Sequence, residues 1–414
     1  MSNVILYLTT LESGGAADCT FNTHKMMLNS GYRSYVAVNG EKLYTPEGDI
    51  IKIPYLYKKY RWDRIKIKEK KYLLDKKSHY VDEKYAPHNL DERICYFNPN
   101  NLLSVLPECP NIIYVHWVSG FANAKYISVL QKETNAKVYF VMIDEAILSG
   151  ACHYSWKCVG ITNGCKNCPM TTSRLLKLHI RWNFFYKQLY LPKEKNVILG
   201  SKYDENKLRK SKIWRNANVN KIYAKIDSAI FHPSEDKEII KQKWGLPLNK
   251  KIIFFGCSYL SEIRKGMSLL FEAINNLKRE DIVCVVVGEG NLPNIKVNTI
   301  KLGRLNINDL AEVYRAADVF VCSSLEDSGP QMVNMALMSG CPTVAFETGV
   351  ALDFVQTGQT GYLAKWGDAN DLAHGIDYVL GLSLEEYEKV CKNCRSIAVE
   401  HFADNSNVKL EDTK

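Results

Sequence analysis

The order of apolar and polar positions divides the chain into two runs of the same kind. Val4–Leu8 is a short β-type stretch that ends at Thr9-Thr10-Leu11-Glu12-Ser13-Gly14-Gly15, and Ala16–Leu28 then carries apolar residues at helical spacing. Strand, glycine turn and helix in that order open a doubly wound parallel sheet. Ile112–Val115 and Val138–Val141 are short apolar runs of the kind that strands buried on both faces produce. The pattern restarts at Lys251–Gly256 and continues through Ile282–Val287, Val319–Cys322 and Thr343–Phe346, which predicts a second parallel α/β domain. Asp227–Pro233 breaks the periodicity ahead of a charged helix, Glu235–Trp244, and marks the hinge. The expected boundaries are therefore 1–226 and 227–383. In the remainder, 384–414, the loosely helical Tyr387, Val390, Ile397, Val399 and Phe402 predict a helix that returns to the first domain.

A chain of 414 residues, 46% hydrophobic, has enough apolar material for two cores. No stretch approaches the roughly 20 uncharged apolar residues of a membrane span, and the N-terminus enters a strand without a charged leader, so a cytoplasmic protein is expected. Thirteen cysteines are many, but Cys19, Cys257, Cys284, Cys322 and Cys341 sit singly in apolar runs, where a thiol acts as a small hydrophobe. The net charge of +9 is concentrated: Tyr57–Lys77 holds ten Lys/Arg against three acids. Nothing resembling a nucleic-acid motif accompanies that charge, so no nucleic-acid partner is expected.

The segment richest in chemistry runs from Ser323 to Pro342. It leaves the strand Val319–Cys322, carries Glu326 and Asp327, and turns at Ser328-Gly329-Pro330 into a helix that ends at Gly340. Carboxylates at the carboxyl end of a strand, followed by a helix N-terminus, suit a ligand whose phosphates meet NH groups and whose hydroxyls meet acids. A nucleotide-sugar has both parts.

This segment resembles the retaining family-4 glycosyltransferases, of GT-B architecture, and more narrowly their bacterial capsule and exopolysaccharide branch, which writes it as an acid, Ser-Gly-Pro and an Asn-Glu-Ala run. Four further matches follow in order: Arg264-Lys265-Gly266, Val287-Gly288-Glu289-Gly290, Tyr314-Arg315-Ala316-Ala317-Asp318, and Gly349 through Asp353 to Gly358-Gln359-Thr360-Gly361. The resemblance implies two Rossmann-like, doubly wound parallel-sheet domains facing a cleft, the first for the acceptor and the second for the nucleotide-sugar. It implies that Arg264, Lys265 and Gly288 belong to the donor site, Lys265 against phosphate. The NH groups around Gly329–Met332, those of Gly329, Gln331 and Met332 with Pro330 shaping the turn, would hold the diphosphate, and Asp327, or Glu326 in its place, would bind hydroxyls of the transferred sugar. No metal is needed for that chemistry, because lysine neutralises the departing diphosphate. Two positions depart from the pattern: Met335 stands where a ribose-binding glutamate is usual, with Asn334 as a substitute, and Cys257 where an arginine is usual.

In the first domain, Gly14 and Gly15 resemble the loop that closes over donor phosphate and acceptor, where a missing side chain lets backbone approach. His116, in Ile113-Tyr114-Val115-His116-Trp117, matches the branch's His-Trp pair, whose histidine lies beside the transferred sugar. Cys152, Cys158, Cys165 and Cys168 fall within seventeen residues and include one Cys-x-x-Cys, a set that could hold a tetrahedral structural zinc. The branch shares this pattern after an aspartate matching Asp144, although its preceding histidine is Ile143 here. Tyr57–Lys77 and the helix-like Arg174–Lys187 mix basic and aromatic residues, which suits either an anionic membrane surface or a solvated loop and a core helix.

The sequence thus predicts a retaining transferase that moves a hexose-type sugar from a nucleoside diphosphate to a glycan or lipid-linked acceptor in bacterial surface-polysaccharide synthesis. It would be cytoplasmic or peripheral on the inner membrane face. The alternative is a non-catalytic, glycosyltransferase-like subunit that binds a glycan or partner, motivated by Met335 and Cys257.

Overall fold

The computed structural model describes residues 3–10, 15–40, 49–54, 65, 82–87, 90–234, 236–292 and 295–403. Gly14 and, apart from Ile65, the basic stretch Tyr57–Lys77 lie outside them. The chain forms two compact units, one built on Met1–Leu199 and Glu205–Lys221, the other on Gly200–Asp204 and Ile222–Asn405.

The first unit is a seven-stranded sheet. Its strands are β1 (Val4–Leu8), β2 (Arg33–Gly40), β3 (Ile50–Pro54), β4 (Ile112–Val115), β5 (Lys137–Met142), β6 (Asn196–Leu199) and β7 (Asn218–Lys221), all parallel in the order β3-β2-β1-β4-β5-β6-β7. Helices α1 (Gly15–Asn29), α2 (Pro99–Leu103), α3 (Ala124–Thr134), α4 (Gly160–Asn163), α5 (Arg174–Tyr190) and α6 (Lys202–Lys210) connect them. Both faces of the sheet are covered, which is why β1 reads as an unbroken apolar run. Leu6 and Leu8 enter one core with Val115, Phe140 and Trp214, while Ile5 and Tyr7 enter another with Met27, Val36 and Tyr114.

The second unit repeats the plan with six parallel strands in the order β10-β9-β8-β11-β12-β13: β8 (Lys251–Tyr259), β9 (Ile282–Glu289), β10 (Thr299–Gly303), β11 (Val319–Cys322), β12 (Thr343–Phe346) and β13 (Gly361–Ala364). Its helices are α7 (Lys237–Lys243), α8 (Met267–Asn276), α9 (Ile307–Ala316), α10 (Gln331–Met338), α11 (Ala351–Phe354), α12 (Ala369–Leu380) and α13 (Leu384–Phe402). Ile252 and Phe254 of β8 face one core, Ile253, Phe255 and Cys257 the other. Strand order reverses beside β8, whose neighbours are β9 and β11, and such switch points open a crevice at the carboxyl ends of the strands.

Helix α13 corrects an expectation: it belongs to the second unit, not the first. Its inward stripe is Val390, Cys394, Ala398 and Phe402, all buried, and the small residues at two of those positions let it lie close against α10. Arg395 donates to the carbonyls of Phe231 and Met338, and Ile226 N donates to Phe402 O at 2.8 Å, which closes the start of the unit on its end.

Candidate active site

In the second unit the polar residues gather where β8 and β11 end. Gly266 has φ +64°, and a Cβ there would collide with the carbonyl oxygen of Ser323, so only glycine lets the short 3-10 turn Ile263–Lys265 lie against the exit of β11. Ser323 Oγ donates to Lys265 O at 2.8 Å and Leu325 N to Arg264 O at 2.7 Å. Trp366 Nε1 donates to Leu325 O at 2.9 Å from the far side. The loop is therefore held by backbone contacts on both flanks before any ligand arrives.

This framing puts two cations on one carboxylate. Lys265 Nζ lies 2.5 Å and Arg264 Nη1 3.3 Å from Asp327 Oδ2, while Arg264 Nη2 also meets Glu262 at 2.8 Å. Burial alone would raise the Asp327 pKa, but the charges of Lys265 and Arg264, with hydrogen bonds from Lys265 and the Gly329 NH, hold it below the ordinary aspartate value. Glu326 is 1% exposed and accepts from Tyr203 OH at 2.9 Å.

Pro330 caps α10 without a side-chain hydrogen bond, so the NH groups that open this helix have no cap from their own segment. Tyr314 OH fixes the first turn by donating to Met332 O at 2.9 Å. Asp318, from the same Tyr-Arg-Ala-Ala-Asp run, accepts from Ile252 N at the start of β8. Two buried polar atoms beside the loop, Ser328 Oγ and Asn334 Oδ1, have no hydrogen-bond partner among the described residues, and a ligand is one way to satisfy such atoms.

Of the donor-site residues predicted from sequence, Arg264, Lys265, Glu326, Asp327 and Gly329 come together. Gly288 has φ +130°, where a Cβ would strike the Cys257 carbonyl oxygen, so glycine lets the ends of β8 and β9 approach. Cys257 itself is buried, its thiol pushed up to about 11 by burial first. Asn334 is buried, its amide 3.4 Å from Ala224 O, and Met335 packs on the core of this unit. Sequence reasoning missed Tyr203 and Trp366, which reach the loop from distant segments and carry no local pattern.

In the first unit, His116 ends β4 and lines a pocket with Trp117, Ser119, Asp144, His153 and Trp214 at the carboxyl ends of β4 and β5. Burial pushes the His116 pKa down to about 3, which keeps the ring neutral, and its buried Nδ1 has no hydrogen-bond partner among the described residues. Asp144 Oδ1 accepts from Ala146 N, and its Oδ2 lies 3.0 Å from His153 Nδ1. The Trp117 ring lies 4.5 Å from that of His153. A histidine nine residues further along thus faces Asp144, where the branch pattern has one immediately before it. Gly15 opens α1.

Cys152, Cys165 and Cys168 are buried in the core of the first unit, and burial, followed by neighbouring thiols for Cys152, raises their pKa values, that of Cys165 to about 12. Among the described residues no group of three or more His, Cys, Asp and Glu side chains is disposed to hold a metal ion. Cys165 Sγ and Cys158 Sγ accept from the NH groups of Gly150 and Gly160.

Two parallel, doubly wound α/β domains of seven and six strands define the GT-B architecture. Residues 236–397 match the family model described as "Glycosyl transferases group 1". A GDP-mannose-dependent alpha-mannosyltransferase of Corynebacterium glutamicum is 30% identical over 142 residues, 33% of either chain. A glycogen synthase of Clostridium botulinum is 30% identical over 203 residues, 45% of this chain and 41% of that one. The chain thus spans well under half the length of these curated relatives. Over the whole fold, Anabaena HepE, solved in complex with UDP and glucose, superposes with a TM-score of 0.60 at 15% identity, covering 97% of this chain and 96% of the other.

Proposed function

We propose that the protein is a glycosyltransferase that moves a hexose-type sugar from a nucleoside diphosphate to a glycan or lipid-linked saccharide, with retention, in the synthesis of a surface polysaccharide. The observation that carries this reading is the paired approach of Lys265 and Arg264 to Asp327 beside the uncapped start of α10. A diphosphate brings negative charge to cations and NH groups, and a sugar brings hydroxyls to a carboxylate; both kinds of partner stand on two loops that lie against each other. As the donor enters, Lys265 turns from Asp327 to phosphate and frees Oδ2 to accept from a sugar hydroxyl. The cations then stabilise the leaving diphosphate without a metal ion. Same-face attack uses the leaving phosphate as proton acceptor, so no residue here is assigned as general base. In the first domain neutral His116 and the Trp117–His153 pair offer a hydrogen-bonding atom and an aromatic face to a saccharide.

Relatives whose names carry GDP-mannose, and a structural neighbour solved with UDP and glucose, support this donor class. The alternative, a non-catalytic glycan- or partner-binding subunit, is favoured by Met335, which packs on the core where the family pattern carries a glutamate. Calorimetric titration with UDP and GDP, followed by a screen of nucleotide-sugars for donor hydrolysis, separates the two. Binding and slow hydrolysis are expected. Binding of neither nucleotide would leave the non-catalytic subunit.

A further inference from the structure

Helix α5 is apolar on two sides. Leu176, Ile180 and Phe184 are fully buried in the core of the first domain. A second row, Leu175, Leu178, Trp182, Phe185 and Leu189, recurs at alternating steps of three and four residues and so forms one continuous stripe. That stripe faces solvent: Leu175 is 62%, Trp182 50% and Leu189 74% exposed, and Leu178 and Phe185 are exposed as well. One exposed leucine is ordinary, but five large apolar side chains in register on one helix face are not.

Cations border the stripe. From Arg174 to Lys195 the chain carries six Lys/Arg against one acid, Glu194, and all of the six but the buried Lys187 are available to border the stripe. The Arg93 guanidinium lies 5.2 Å from the Trp182 ring centre, and Arg181 and Lys212 lie 5.4 and 5.6 Å from that of Phe185. Lys212 in turn lines a depression with Lys193, Lys195 and Arg215.

We propose that the outward face of α5 docks on an anionic lipid bilayer, with the Leu175–Leu189 stripe entering the headgroup boundary and the bordering cations meeting lipid phosphates. Apolar burial and electrostatic attraction act together in such a helix, and neither suffices alone. Among the described residues no helix is long and apolar enough to cross a membrane, so α5 lies in the plane of the surface. Charge chooses between occupants. A second copy of the chain would cover the same stripe but would set Arg174 and Arg181 against their own kind, whereas an anionic surface answers both features.

The test is cosedimentation of the full chain with phosphatidylglycerol or phosphatidylcholine vesicles. Binding to phosphatidylglycerol that weakens as salt rises is expected, with little binding to phosphatidylcholine. Trp182→Ser with Leu189→Ser changes only exposed side chains and should lower partitioning at least about tenfold. Arg174→Glu with Lys177→Glu should do the same, and neither pair should alter donor hydrolysis, whose residues lie in the second domain. No binding to phosphatidylglycerol, or binding that the two double variants leave unchanged, would overturn the proposal. A dimer by light scattering that the Trp182→Ser/Leu189→Ser chain loses would assign the stripe to a second copy instead.

Discussion

The Lys265 ammonium rests 2.5 Å from Asp327 Oδ2, so the residue read as the phosphate contact and the residue read as the sugar contact are each other's partner in the free protein. Donor binding therefore exchanges one ion pair for two contacts, and either residue can be tested by removing it.

Lys265→Ala should weaken donor use more than folding. A charge-assisted contact contributes about 1.5–3 kcal/mol, which is about ten- to a hundredfold in kcat/KM for the donor. Arg264 remains beside Asp327, so the carboxylate is not stranded. Unchanged turnover at subsaturating donor would remove Lys265 from the site.

Asp327→Asn should lower both rate and sugar discrimination, because an amide offers one acceptor group where the carboxylate offers two. The acid's pKa is held below its ordinary value, so its stabilising contribution is complete above the unfolded value of about 4 and is lost as pH falls through the folded value. Donor binding should accordingly be flat in pH from about 5 upward with respect to this group. Identical donor preference in the variant would shift the sugar contact to Glu326.

Gly266→Ala should cost on the order of 3 kcal/mol of second-domain stability, since it forces a left-handed residue and drives a methyl group into the Ser323 carbonyl. Denaturant unfolding followed by the fluorescence of Trp244 and Trp366 reports it. A midpoint equal to that of the wild type would mean the loop is not locked as described.

His116 should remain neutral throughout the physiological range. Its folded pKa, about 3, lies below the unfolded value, so the unfolded chain takes up the proton first and the first domain loses stability as pH falls from about 6.5 toward 3. NMR signals of the ring that titrate near neutrality would contradict its burial.

What the sequence made legible was local. Strand, loop and helix from Val319 to Met338 are contiguous, so Glu326, Asp327 and Gly329 could be placed together from their order alone. Arg264 and Lys265 could be added through a family resemblance, but their shared carboxylate could not. Tyr203 reaches Glu326 across 123 residues, and no periodicity encodes such a contact. The last helix departs from expectation for a similar reason: its packing stripe includes Cys394 and Ala398, small residues that do not stand out as a buried face. The cysteine spacing, by contrast, fixed only proximity along the chain; that the Gly150 and Gly160 NH groups meet Cys165 Sγ and Cys158 Sγ could not be read from it.

Ile226 pairs with Ala403 in an isolated bridge, and α13 seals the core between them. The second domain is thus sewn shut by its own two ends, which makes it excisable. A fragment from Ile222 to Ala403 should fold and bind nucleotide by itself, although it lacks what Tyr203 and Lys202 lend to Glu326 and Asp353. A fragment cut at residue 383 should not, because it opens a seam along α10 that no other segment of that domain fills.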